Sequence, residues 1–242
     1  MRYIILFIFT GCLTSAVFAQ NPDQIDVSSF TGRIYSDTIN TMVINGDVVN
    51  FRKEGTWTVC FNTGAIHLLV PYAGGLKNGV VVEIDRNGLL LSQTHYLNDT
   101  IHGSSMVFLG GSKLQLEENY LKGKLHGQRK VFYEQGKLQE ASDYVDGNKS
   151  GKSIWYDENG KMLAEYSYLN GLFDGSQLVF YSNGKIKSEQ WYSQNNLHGK
   201  NIQFFENGNK KLEGYYKNGR KAGDWTSFNE QGQIIEVQNF KE

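Results

Sequence analysis

Proline is almost missing from this chain. Two prolines in 242 residues, and no stretch rich in serine and glycine, leave nothing that reads as a linker, so one elongated domain is expected. Cysteine is equally scarce, with only Cys12 and Cys60. Neither sign of charge dominates: 24 basic residues stand against 25 acidic ones. That balance argues against a nucleic-acid partner, which wants a basic face. Past the first residues there is no long apolar run, so no spanning helix is expected.

Those first residues have a form of their own. Met1-Arg2, the apolar run from Tyr3 to Phe9 and the ending Val17-Phe18-Ala19 have the basic start, apolar core and small-residue cleavage site of a secretory signal peptide. Residues 1–19 are read as that signal, which exports the chain to the periplasm, the cell surface or the medium. The rival reading is a lipoprotein processed before Cys12, in Phe9-Thr10-Gly11-Cys12. Cleavage after Ala19 removes Arg2 and Cys12, leaving 23 basic residues and the single thiol of Cys60, so no intrachain disulfide can form.

What the chain has in abundance is periodicity. Tyr72, Tyr96, Tyr120, Tyr144, Tyr168, Tyr192 and Tyr216 stand 24 residues apart, and the next step falls on Phe240. A fixed period of this length marks a repeat architecture. Glycine follows seven residues after each phase, at Gly55, Gly79, Gly103, Gly127, Gly151, Gly175, Gly199 and Gly223; these are read as repeat turn glycines with φ > 0. Four residues before them stand Gly75, Gly123, Gly147, Gly171 and Gly219, with Asp99 and Asn195 as left-handed substitutes. A second turn recurs mid-unit at pairs such as Asn159-Gly160 and Asn183-Gly184, the strongest short-range hairpin signal.

Two short strands lie between the turns of each unit. The first, as in Val131-Phe132-Tyr133 or Ile154-Trp155-Tyr156, is apolar on both faces and is expected to be covered on both. The second alternates and reads as half exposed. Because the period is even, matching positions stack in register. The tyrosines from Tyr72 to Tyr216 with Phe240 are expected to form one aromatic ladder, and Phe108, Phe132, Tyr156, Phe180, Phe204 and Phe228 another. The fold class is therefore all-β: an elongated, single antiparallel meander of tandem 24-residue hairpins. About eight units occupy residues 48–242. Residues 20–47 lack the signature and are read as an N-terminal cap, with a turn at Asn45-Gly46. Cys60, where other units carry an aromatic or Ile84, reads as a small core filler.

The pattern Tyr-x-x-Gly-x-x-x-Gly, an aromatic strand, Asn-Gly-Lys and an aliphatic residue resembles the MORN repeat in its bacterial variant form, the YwqK-family antitoxins. Gly123 to Gly127 with Phe132-Tyr133, and Asn195 to Gly199 with Phe204-Phe205, carry the likeness. The resemblance implies a scaffold or partner-binding module, sometimes membrane-associated. The export signal sets this chain apart from the cytosolic members.

Candidate chemistry is sparse. His102, His126 and His198 share one edge, but neighbouring units are about 9–10 Å apart, whereas zinc ligands lie within about 4 Å of one another. No metal, cofactor or catalytic residue is assigned, and the chain is read as a non-enzyme. Lys122, Lys124, Lys149, Lys217, Arg220 and Lys221 make the glycine-turn edge locally basic, open to an anionic lipid headgroup or an acidic polymer. Trp191 and Tyr215, on the face opposite the tyrosines, are candidate interface anchors. The leading expectation is an exported, non-catalytic scaffold with a protein partner. The alternatives are binding of cell-wall glycan or lipid headgroups, or an antitoxin-like neutralising role.

Overall fold

Asn, Asp, Gly and Lys at paired positions dictate the turns, and the turns dictate the architecture. In the computed structural model, which describes residues 22–39, 42–111 and 113–241, every glycine-edge turn has two successive residues with positive φ. Examples are Asn98-Asp99 (50° and 62°) and Asn170-Gly171 (51° and 83°). This is the mirror-image turn whose twist suits a two-residue hairpin. Residues 1–19, read above as an export signal, and Cys12 within them lie outside the described residues.

Twenty strands among the described residues form one antiparallel sheet that runs in chain order as a meander, in which Leu76–Lys77 with Gly79–Ile84, and Lys124–Leu125 with Gly127–Phe132, each act as one strand interrupted by a single residue. The mid-unit turns are built differently. Only the glycine takes positive φ (83° at Gly160), and where the turn opens on Asp or Asn its side-chain oxygen accepts from the loop's backbone, as Asp157 does from Asn159 and Lys161. Units are also stitched edge to edge: the turn amides of Gly147, Gly171 and Asn195 donate to the carbonyls of Leu125, Lys149 and Phe173 in the preceding unit.

The eight recurrent glycines sit inside strands rather than in the turns, which corrects the sequence reading. Their φ values are positive, from 65° at Gly223 to 124° at Gly79, because each occupies a β-bulge. At Gly151, three residues oppose the single Asp143. Each glycine also lies directly across from a ladder residue, as Gly151 does from Tyr168 and Gly223 from Phe240. In most units the preceding strand lays a side chain over the glycine: an added Cβ would stand 2.9 Å from the Cβ of Asp143 at Gly151 and of Trp191 at Gly199.

The tyrosines share a face but do not stack on one another, since two strand spacings separate them. The residue between them makes the contact. Phe173 lies 4.8 Å from Tyr168 and 5.7 Å from Tyr192; Trp225 lies 5.0 Å from Tyr216 and 6.4 Å from Phe240. Nor are the apolar strands covered on both faces: Val131, Phe132 and Tyr133 are all half-buried, as a single layer requires.

Among the described residues the buried apolar cluster lies at the N-terminal end, where Ile44, Val48, Trp57, Val59, Val70 and Tyr72 are buried. Asn45-Gly46 is not a turn here but lies within the strand Met42–Val49. Gly46 is needed because the Trp57 indole rests on it, leaving only 2.1 Å for a Cβ. A short segment closes the end. Pro22 is buried, Ile25 and Val27 pack against the core, Lys53 donates to the Pro22 carbonyl, and Asp23 binds the Tyr72 hydroxyl and, at 2.7 Å, the Lys77 ammonium.

Candidate functional site

Inside the array the column that holds Trp57 at the N-terminal end changes character. Its members become Ser105, Arg129, Ser153, Gln177 and Asn201, each facing a residue such as Thr94, Glu118, Ser142, Tyr166 or Gln190 on the strand before. Ser142, Ser153, Gln177 and Asn201 are buried. Some of these pairs bond, as Thr94 does with Ser105 at 3.0 Å. Ser153 Oγ and Gln177 Nε2 have no partner, an unusual condition for buried polar atoms.

Beside them the same face carries a groove of about 430 Å³, lined by Arg129, Val131, Tyr133, Gln139, Glu140, Lys149, Trp155, Tyr156 and Leu163. One end is a charge relay. Arg129 binds Glu118 at 2.9 Å and approaches Glu140 at 3.7 Å; Lys149 binds Glu140 at 2.9 Å, and the Ser142 hydroxyl donates to the same carboxylate at 2.6 Å. Burial pushes the Glu140 carboxyl up, but the bonds from Ser142 and Lys149 and the nearby cations outweigh it and hold the group below its usual range. The other end is aromatic. Lys149 lies over the Trp155 ring at 5.1 Å, and Trp155 packs against Tyr166 at 4.9 Å. Burial raises the Tyr168 phenol to about 12, with help from Tyr166, Glu140 and Tyr144, and burial with the Glu118 bond raises Tyr120 to about 12. Both phenols stay neutral, and Tyr120 donates to Glu118 at 2.8 Å. The site therefore offers an apolar floor, fixed donors and paired charges, an arrangement suited to recognition.

The histidines do not converge. His126 Nδ1 stands 3.7 Å from Asp146, and His67 bonds the Ile84 carbonyl at 2.8 Å. Among the described residues no three His, Cys, Asp or Glu side chains gather to hold a metal. Cys60 is free and partly buried. Trp191 and Tyr215 are 42% and 46% exposed, the first bonded to Glu189 and the second packed on His198. The charge relay escaped sequence reading because each of its residues looks like an ordinary solvated charge. Its signal was there all the same: Arg129 breaks a column that is otherwise small or amidic through the middle units.

Comparison with known proteins gives one family. The profile described as MORN repeat variant matches residues 125–146, 149–170, 173–195 and 197–218, four consecutive repeats of which the first two contain every residue lining the groove. No curated protein matches the chain. One solved structure, a GtfA/B complex bound to UDP and GlcNAc, aligns with 57% of this chain and 27% of its own at 13% identity, with a TM-score of 0.25, too slight a likeness to carry an argument.

Proposed function

We propose, from the premise that residues 125–218 are four tandem MORN-variant repeats, that this protein is an exported, non-catalytic interaction module whose middle units bind a protein partner on the tyrosine face. One observation carries the reading: an open groove of about 430 Å³ on that face sets the half-buried Val131 and Trp155 beside the paired charges of Arg129, Glu140 and Lys149. Arginine and tryptophan are favoured anchors at such interfaces, and Arg129 and Trp155 line the groove.

The non-catalytic part of the proposal draws on electrostatics. Acid–base catalysis works best with groups brought near neutrality. Here Asp23 and Glu140 are held low and the shifted tyrosines are raised. Lys53, which burial lowers, lies beneath Pro22. Export rests on the leader-like residues 1–19.

Photo-crosslinking tests the choice of face. A benzophenone residue at Tyr156, in the groove, is expected to give a discrete protein adduct that Arg129→Glu abolishes, and one at Lys152, exposed elsewhere, is expected to give none. Equal adducts from both positions would contradict the proposal. Saturable binding of a glycan or of anionic vesicles that needs Arg129 would replace the partner class. The exposed pair Trp191 and Tyr215 supports a second reading, docking on the opposite face.

A further inference from the structure

Two units of the array, seven repeats apart, share a constellation that no unit between them has. Trp57 and Trp225 occupy the same repeat position, and each indole lies on a glycine of the preceding strand, Gly46 and Gly214, with 2.1 and 2.3 Å left for a Cβ. Each indole N–H donates to an equivalent backbone carbonyl: Trp57 to Asp47 at 3.1 Å, Trp225 to Tyr215 at 3.2 Å. In both, three residues ending in the tryptophan oppose that glycine across the bulge. A lysine stands over each ring, Lys53 at 5.5 Å and Lys221 at 4.1 Å, and a ladder aromatic closes the set, Tyr72 or Phe240.

In the first copy the chain supplies its own occupant. Pro22-Asp23-Gln24-Ile25 puts a carbonyl on Lys53, a carboxylate between Tyr72 and Lys77, and an aliphatic side chain on the core. Lys53 is buried as a result. In the second copy Lys221 is exposed, and a hollow of about 540 Å³ is lined by Lys217, Asn218, Arg220, Lys221, Ala222 and Lys241. Phe240 lacks the hydroxyl of Tyr72, and Arg220 and Lys241 provide cationic donors in its place.

We infer that the Lys221–Trp225 site is a docking site for an acidic, aliphatic peptide segment of a partner protein, of the kind that residues 22–27 present to the Lys53–Trp57 site. The inference rests on the partner-binding reading and deepens it, adding a second contact point and the chemistry of what binds there. A carboxylate meets Arg220, Lys221 and Lys241 as charge-assisted hydrogen bonds, and the aliphatic residue that follows lies on the half-buried Phe240, because Trp225 is itself buried beneath Lys221.

The test uses the full chain and a fluorescein-labelled peptide copying residues 21–30, followed by anisotropy. Saturable binding is expected, weakened about tenfold or more by Lys221→Glu or by Arg220→Glu, as for truncation of a desolvated charge pair, and lost when both peptide aspartates become asparagine. Arg129→Glu leaves it unchanged, so a failure here does not depend on the groove at 129–163 and its crosslinks. Because Lys221 and Arg220 are exposed, Arg220→Glu keeps the parent's thermal melt, and Lys221→Glu, which gives up the cation–π contact with Trp225, lowers it only slightly. No saturable binding, binding indifferent to Lys221→Glu, or displacement by inorganic phosphate as effective as by unlabelled peptide would overturn the inference.

Discussion

The N-terminal end and the middle of the array are built on one backbone repeat and held together by different physics. At the end, Trp57, Val59 and Val70 fill the tyrosine face, and residues 22–27 cover it. In the middle the same positions carry Ser153, Gln177 and Asn201 beneath half-buried aromatics, with no segment of the chain laid over them among the described residues. A repeat array needs its first unit sealed, since that unit has a neighbour on one side only. Interior units are flanked on both sides, so their face is free to be polar. The difference separates a surface spent on stability from one that the proposed function assigns to a partner.

The sharpest way to break this comparison is to remove the apolar end. Trp57→Ala is expected to cost about 3–5 kcal/mol and to lower the thermal midpoint clearly, whereas Ser153→Ala, which deletes an unsatisfied hydroxyl, leaves the midpoint unchanged or slightly raised. Comparable losses from both would mean that the two regions are held alike. Gly46→Ala forces the indole aside and is expected to cost about 1–3 kcal/mol, readable as loss of native Trp fluorescence in denaturant titration. In the middle, Phe180 is only half-buried, so Phe180→Ala is expected to cost about 2 kcal/mol, below the fully buried range. A drop equal to that of Trp57→Ala would move the core to the middle.

The smallest expected effect concerns the seal. Burial alone would raise the Asp23 carboxyl, but the bonds from Lys77 and Tyr72 outweigh it and hold it below its ordinary value. A depressed carboxylate contributes stability that is fully present above the unfolded value, about 3.9, and is lost as pH falls through the folded value. Below about pH 4, residues 22–31 are therefore expected to exchange amide hydrogens faster while the middle strands stay protected, and Asp23→Asn should reproduce this at pH 7. Protection of residues 22–31 that is indifferent to both changes would remove Asp23 from the seal.

Much of the fold was legible because period, parity and turn chemistry are local properties. The spacing of the tyrosines and the Asn-Gly pairs were enough for a meander of hairpins. What the sequence could not display is which neighbour a residue meets. Gly151 reads as a turn glycine until the bulge and the side chain of Asp143 above it are seen; Gly46 reads as a hairpin tip until the indole is placed upon it. The tyrosines look like a stack, yet Phe173 carries the contact between Tyr168 and Tyr192. The groove was hidden for a related reason: Arg129, Glu140 and Lys149 acquire a joint meaning only when adjacent strands bring them within bonding reach.

The central claim, that the tyrosine face of the middle units is where a partner docks, is met most directly by paired substitutions read out on one binding assay. Arg129→Ala with Trp155→Ala, and separately Trp191→Ala with Tyr215→Ala, are compared for retention of the crosslinked partner by the folded chain. The account predicts that the first pair loses the partner while the second keeps it. Loss with the second pair and retention with the first would contradict it.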